Sequence, residues 1–337
     1  LTKKQRIEAF AALGRLLQTG GAGLEEILQS AAIKNPWYTV PNTRKQIAAL
    51  TANLQESTLA EWLAPYPDLE SDKTVGLILA GNIPLVGFQD IMSVLLAGFH
   101  AKIKLSSDDA GLTPFIVNAL NGIEPRFASK ITIVDRLADY DLVIATGSDN
   151  SSRYFEHYFG KKPHIIRKNR NAVAILTGEE STAELQHLGY DIFDYFGLGC
   201  RSVSKMFIPE DFPLSRFFEA IASFEPIREH FKYGNNYDYN KSIYLINGDK
   251  HFDNGFLLVK EDQRIASPLA VLFYETYSKL EDVTKLLDEQ AEKIQCIVSN
   301  GAIESKISTF SLGGSQCPGL TDYADGVDVP AFLFTHA

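Results

Sequence analysis

Thr74-Val75-Gly76-Leu77-Ile78-Leu79-Ala80-Gly81-Asn82-Ile83-Pro84-Leu85 is the stretch whose reading decides the fold. Its apolar run ends in Gly-Asn and Pro, so it reads as a buried strand running into a turn. A helical stretch follows at 88–99, and alternation resumes at Lys102-Ile103-Lys104-Leu105. Another helix is expected after Pro114, strands at 131–134 and 142–145, and a helix at 151–159. Strands alternating with helices predict βαβ units and a parallel sheet. With right-handed crossovers this half is doubly wound, of the nucleotide-binding type.

Upstream, to about Tyr66, apolar residues recur at helical spacing in Ile7-Phe10-Leu13-Leu16-Leu17 and again over 47–63. Downstream the pattern is mixed. Strands are expected at 172–176, 203–208 and 269–274, with Ile297-Val298 as a last sheet element. Helices are expected at 181–196, 213–230 and 283–294. The segment 233–254, rich in Asn, Asp, Gly and Tyr, reads as an extended loop with one strand at 243–246. The expected division is 1–177 for the N-terminal helices and nucleotide-binding domain, 178–310 for a second domain, and 311–337 for a C-terminal segment.

The 337 residues are 45% hydrophobic and 22% charged, an ordinary globular composition, and the net charge of -10 does not favour nucleic acid or an anionic membrane. No apolar run is long enough to span a bilayer, and no signal-peptide pattern is seen at Leu1. Three scattered cysteines make no disulfide framework, so a reducing, cytoplasmic setting is expected. The seven histidines show no metal spacing, and Cys296 and Cys317 lack partners at zinc-site distances, so no metal is expected. Gly20-Gly21-Ala22-Gly23 sits between two helices without a following Lys-Ser/Thr and reads as a helix break. Neither Gly-x-Gly-x-x-Gly nor Gly-x-Ser-x-Gly occurs, and Asp249 to Gly255 matches no calcium loop.

Four segments remain. Asn82 falls at a strand's carboxyl end, where a neutral amide can donate to an oxyanion; Gly-Asn-Pro is equally the composition of a plain turn. Lys104-Leu105-Ser106-Ser107-Asp108-Asp109 also closes a strand. Its Lys can meet ribose or phosphate, or the segment can be a loop capping the next helix. Ala145-Thr146-Gly147-Ser148 leads into a helix N-terminus, a ready anion site. Phe196-Gly197-Leu198-Gly199-Cys200-Arg201-Ser202-Val203 places a thiol between glycines and an Arg, whose charge favours thiolate. Cys200 reads as a nucleophile or as a small buried hydrophobe.

In this order, the segments resemble the aldehyde dehydrogenase superfamily, and most of all its acyl-CoA reductases of the LuxC type. Gly81-Asn82-Ile83-Pro84-Leu85, Lys104-Leu105-Ser106-Ser107-Asp108, Gly199-Cys200-Arg201 and Asp322-Tyr323-Ala324-Asp325-Gly326 carry the resemblance, over roughly 70–330. It implies two Rossmann-like α/β domains with a cleft between them. It also implies Cys200 as nucleophile, and Asn82 with the Cys200 N–H as oxyanion donors. Lys104 and Ser106-Ser107 would meet the adenosine ribose, and Gly147-Ser148 the pyrophosphate. Ser107 stands where NAD-preferring members often carry Glu, which favours NADP(H) over NAD(H), since a hydroxyl can donate to a 2′-phosphate.

Two departures bear on the chemistry. Hydrolytic members carry a water-activating Glu upstream of the nucleophile, whereas Arg167-Lys168-Asn169-Arg170-Asn171-Ala172-Val173-Ala174 holds no carboxylate. Arg264 stands near the position of an acidic residue that contacts the nicotinamide ribose. The implied function is reduction of an acyl-CoA or acyl-carrier thioester to an aldehyde through acyl-Cys200. The alternatives are an aldehyde dehydrogenase forming acid, and a non-redox acyltransferase or acyl-binding protein. A homodimer or an acyl-supplying partner protein is expected with it. Phe193, Tyr195, Phe196, Phe231, Tyr233 and Phe273 read as an acyl tunnel or, more simply, as core.

Overall fold

The computed structural model describes residues 1–21 and 23–337, and the chain forms two compact units, 1–169 with 319–337, and 170–318. The first unit begins with four helices, α1 (Lys3–Gln18), α2 (Leu24–Lys34), α3 (Val40–Ala52) and α4 (Glu56–Leu63). Ala22, in the glycine-rich stretch read as a helix break, lies outside the described residues; α1 ends before that stretch and α2 starts after it. Then β1 (Thr74–Ile78), α5 (Phe88–Leu96), β2 (His100–Lys104), α6 (Leu112–Ile123), β3 (Ile131–Ile133), β4 (Leu142–Thr146), α7 (Asp149–Phe159) and β5 (His164–Arg167) follow.

The sheet order is β3-β2-β1-β4-β5, and every neighbouring pair is parallel. Alternate residues of β1 and β4 serve opposite faces. Val75, Leu77, Leu142 and Ile144 join the core beneath α1, α5 and α6, whereas Ile78, Val143 and Ala145 pack with Phe155 and Phe159 of α7. Strand order reverses at β1/β4, the point where doubly wound sheets open a ligand crevice at their carboxyl ends.

The second unit holds β6 (Asn171–Ile175), α8 (Thr182–Phe193), β7 (Val203–Pro209), α9 (Leu214–Ala220), α10 (Phe231–Asn247), β8 (Phe252–Asp253), β9 (Leu258–Glu261), β10 (Val271–Tyr277), α11 (Leu280–Glu289), β11 (Ile294–Val298) and β12 (Thr309–Phe310). Its sheet runs β12-β11-β6-β7-β10-β9-β8, parallel except for β8 against β9. The final helix, α12 (Val329–Thr335), returns to the first unit. There Tyr66 donates to Asp328 at 2.8 Å and stacks on Phe334, while Trp62 donates to Tyr323 at 3.1 Å.

Several expectations need correction. Residues 231–247 form a helix, not a loop with a strand at 243–246. His230 caps it, and Tyr233, Tyr237, Asn240 and Tyr244 bury one face at helical spacing. The expected single helix over 213–230 divides into α9 and a 3-10 segment that contains Pro226. The units part at 169/170, because β6 is paired on both sides within the second unit, and the segment 311–337 is shared between the two.

One buried ion pair fastens the first unit. Arg167, closing β5, donates two parallel bonds to Asp90 of α5 at 2.6 and 2.9 Å, with both side chains nearly inaccessible. Asp90→Ala takes the carboxylate from a buried guanidinium and should lower the unfolding free energy by about 3–5 kcal/mol. Urea unfolding of the purified variant measures it.

Candidate active site

In the first unit, the carboxyl ends of β1, β2 and β4 carry side by side the expected oxyanion segment at Asn82 and the two expected cofactor segments at 104–107 and 147–148. Gly81 follows β1 and lies so close to Ser106 that a Cβ there would sit 2.5 Å from Ser106 Oγ. Glycine is therefore required at 81 to bring the two loops together. Tyr38 locks this arrangement, donating to the carbonyls of Gly81 at 2.9 Å and Ile83 at 3.2 Å, and Asn35 donates to the Asp108 carbonyl at 3.1 Å. Burial, then the nearby Asp109 and Asp108, push the Tyr38 phenol well above its ordinary range, so it stays a donor.

Asn82 and Ser107 are exposed, whereas Lys104 and Ser106 are half-buried. Ser106 Oγ accepts from the Asp108 N–H at 3.2 Å. Asp109 caps α6, accepting from Thr113 N–H at 3.2 Å and Gly111 N–H at 3.2 Å, so the capping expected of this loop is present. Asp108, by contrast, is exposed beside Ser107. At β4, Ser148 is the N-cap of α7 and accepts from Ser151 N–H at 3.2 Å. A Cβ at Gly147 would meet Phe155 at 2.7 Å and Ser151 at 2.9 Å, so this turn too depends on glycine. Backbone approach at 81 and 147, a helix N-terminus at 148, a lysine at 104 and hydroxyls at 106 and 107 suit a dinucleotide's ribose and phosphates.

In the second unit, Cys200 and Arg201 are the central residues of a turn closed by Ser202 N–H to the Gly199 carbonyl at 3.0 Å. Gly199 N–H returns a bond to Ser202 Oγ at 3.2 Å. This turn sits at the amino end of β7, and Cys200 is partly exposed. The Arg201 guanidinium lies 5.2 Å from the Phe310 ring, and its charge pulls on the Cys296 thiol of β11. Burial pushes the Cys296 thiol up to about 12, against the pull of Arg201 and with the push of Cys200.

Arg264 is bound within its own loop, donating to Asp262 at 2.6 and 2.9 Å, and it covers the Phe273 ring. Arg170 donates to the carbonyls of Ala291 and Ile294 at 3.2 and 3.3 Å. Of the aromatics read as tunnel or core, Phe193, Tyr195, Phe196, Tyr233 and Phe273 are buried, while Phe231 is exposed. The cavity beside Phe196, Gly197 and Tyr233 is about 40 Å³, room for a water and not for an acyl chain. No group of three or more His, Cys, Asp or Glu that could hold a metal occurs among the described residues. No helix among them is long and apolar enough to cross a membrane. The sequence reading missed Asp191 and Ser315, which brace the Cys200 turn; their separation along the chain leaves no local signal.

The fold is aldehyde-dehydrogenase-like. The chain superposes on aldehyde dehydrogenase 21 from Physcomitrella patens, crystallised with the reaction product succinate, with a TM-score of 0.71 at 14% identity, covering 99% of this chain and 84% of that one. It superposes on an NAD-dependent benzaldehyde dehydrogenase from Corynebacterium glutamicum with a TM-score of 0.69 at 15% identity, covering 91% and 81%. An NADP-dependent enzyme from E. coli gives 0.68 at 15%, covering 93% and 78%. No protein-family model and no curated protein sequence matches the chain.

The three thiols should separate by accessibility. Iodoacetamide at mildly alkaline pH is expected to modify exposed Cys317 and partly exposed Cys200, and to reach Cys296 only after unfolding; peptide mass reads the result. Because the folded Cys296 thiol holds its proton longer than the unfolded one, stability should fall as pH rises from about 9 towards about 12. Cys296→Ala should remove that part of the decline in an alkaline unfolding series.

Proposed function

We propose that the chain reduces an acyl thioester, carried on CoA or a protein carrier, to an aldehyde. The Cys200 thiolate attacks the acyl carbon, the carrier thiolate leaves, and the acyl group remains on Cys200 as a thioester. The Asn82 amide and the Cys200 N–H donate to the oxyanion at each tetrahedral stage. When bound, NADPH would supply the hydride that reduces the acyl carbon. Collapse of the resulting thiohemiacetal then returns the Cys200 thiolate and releases aldehyde. Lys104, Ser106, Ser107, Gly147 and Ser148 hold the adenosine and pyrophosphate.

The observation that carries this reading is the segment 167–174, which has no carboxylate to activate water and whose arginines are bound elsewhere, Arg167 to Asp90 and Arg170 to two carbonyls. A thioester that is not hydrolysed is available for reduction. The second reading is oxidation of an aldehyde to an acid, and it is favoured by the fold shared with the succinate-bound and benzaldehyde dehydrogenases. Product analysis separates the two. The first gives aldehyde from acyl-CoA with NADPH consumed, and the second gives acid from aldehyde without CoA. Cys200→Ala should abolish turnover and the acyl-enzyme mass, and Asn82→Ala should lower kcat about a hundredfold with the acyl-enzyme still formed, though slowly.

Cofactor choice has its own test. Ser107 suits a 2′-phosphate, while exposed Asp108 beside it opposes one. Asp108→Asn should tighten NADPH binding several-fold and leave NADH nearly unchanged, and Ser107→Glu should reverse the preference. Fluorescence titration with each cofactor reads both.

A further inference from the structure

Behind the Cys200 turn lies a buried line of oxygen atoms that the proposed chemistry leaves unused. Asp191 of α8 and Ser315 are both fully buried. The Asp191 carboxyl accepts from the Gly313 N–H at 2.5 Å and from the Ser315 N–H at 3.0 Å. Ser315 Oγ lies 2.7 Å from Asp191 Oδ1 and 2.9 Å from the carbonyl oxygen of Arg201. Gln316, the next residue, donates from Nε2 to Ser202 Oγ at 3.4 Å. Residues 313–316 are therefore fixed to α8 at one end and hold both residues that follow Cys200 at the other.

Ser315 Oγ is placed to donate both to Asp191 Oδ1 and to the Arg201 carbonyl, so one hydroxyl joins the carboxyl of α8 to the backbone of the Cys200 turn. Burial raises the Asp191 carboxyl, and Asp194 after α8 adds to this, while the bonds from Ser315 and Gly313 pull the other way. The titratable groups around it include Cys296 on β11, on whose thiol the Arg201 charge acts, and His187, which flanks Gly313.

We propose that Asp191, acting through Ser315, is a positioning residue that fixes the turn presenting Cys200. This role rests on the reading of Cys200 as nucleophile. It does not require Asp191 or Ser315 to touch substrate or cofactor.

Ser315→Ala removes the hydroxyl and keeps the backbone N–H, so the fold is retained. Amide hydrogen exchange in a peptide spanning 199–203 should quicken while that of α11 stays unchanged. The kcat for acyl-CoA reduction should fall about tenfold, with the KM for NADPH within about twofold, because orientation and not cofactor binding is lost. Ser315→Thr restores the hydroxyl and should recover both. Asp191→Asn should act in the same direction, and combining it with Ser315→Ala should add less than about twofold, since the two act in series. Unchanged exchange and unchanged kcat in Ser315→Ala would overturn the proposal and leave the nucleophile reading intact, as would a threonine variant as impaired as alanine. Full activity in Cys200→Ala would overturn the nucleophile reading itself, and this role with it.

Discussion

Tyr195, Phe196 and Gly197 stand consecutively in the left-handed region, with φ of 53°, 59° and 77°. For the two non-glycine residues this costs about 1–3 kcal/mol each, and such a run persists only where surrounding packing over-determines it. The surroundings do so. Tyr195 and Phe196 are buried, the Phe196 ring lies 4.2 Å from that of His230 and 6.3 Å from that of Tyr233, and Phe193 stacks on Phe224. Tyr233 is anchored in turn by its bond to the Phe256 carbonyl. The reversal ends α8 and delivers Cys200 to the amino end of β7, the opposite strand end from the one that carries Asn82, Ser106 and Gly147 in the first unit.

The legible parts of the fold were those whose periodicity matches their packing. The strands β1, β2 and β4 and the helices between them are apolar on both faces or on one stripe, and their alternation dictates a parallel sheet. Helix α10 was illegible for a reason that can be named. Its buried stripe is Tyr233, Tyr237, Asn240 and Tyr244, polar-tipped residues that count as loop formers by composition, and Phe231, Tyr239, Leu245 and Ile246 point outward. Strand β5 was missed because His164-Ile165-Ile166-Arg167 offers only two apolar residues; its end is held by Asp90, which lies far away in sequence.

The candidate site divides in the same way. Gly81, Lys104, Gly147 and Ser148 were visible because each interrupts or closes an apolar run, and turn chemistry is local. What braces the Cys200 turn was not visible, since Asp191 and Ser315 meet only in three dimensions and neither interrupts a pattern.

The chain leaves the first unit after Asn169 and comes back at Gly319. Leu320, Val329 and Leu333 then complete a core whose other members were laid down from Ile7 onward. During synthesis the first unit must therefore wait, its α4 and α5 surfaces uncovered, until the whole second unit and its returning tail have left the ribosome. The second unit, continuous in sequence, can fold while it waits. The late arrival of α12 makes completion of the first unit's core follow synthesis of the entire second unit, so the turn that carries Cys200 can form before the first unit is closed.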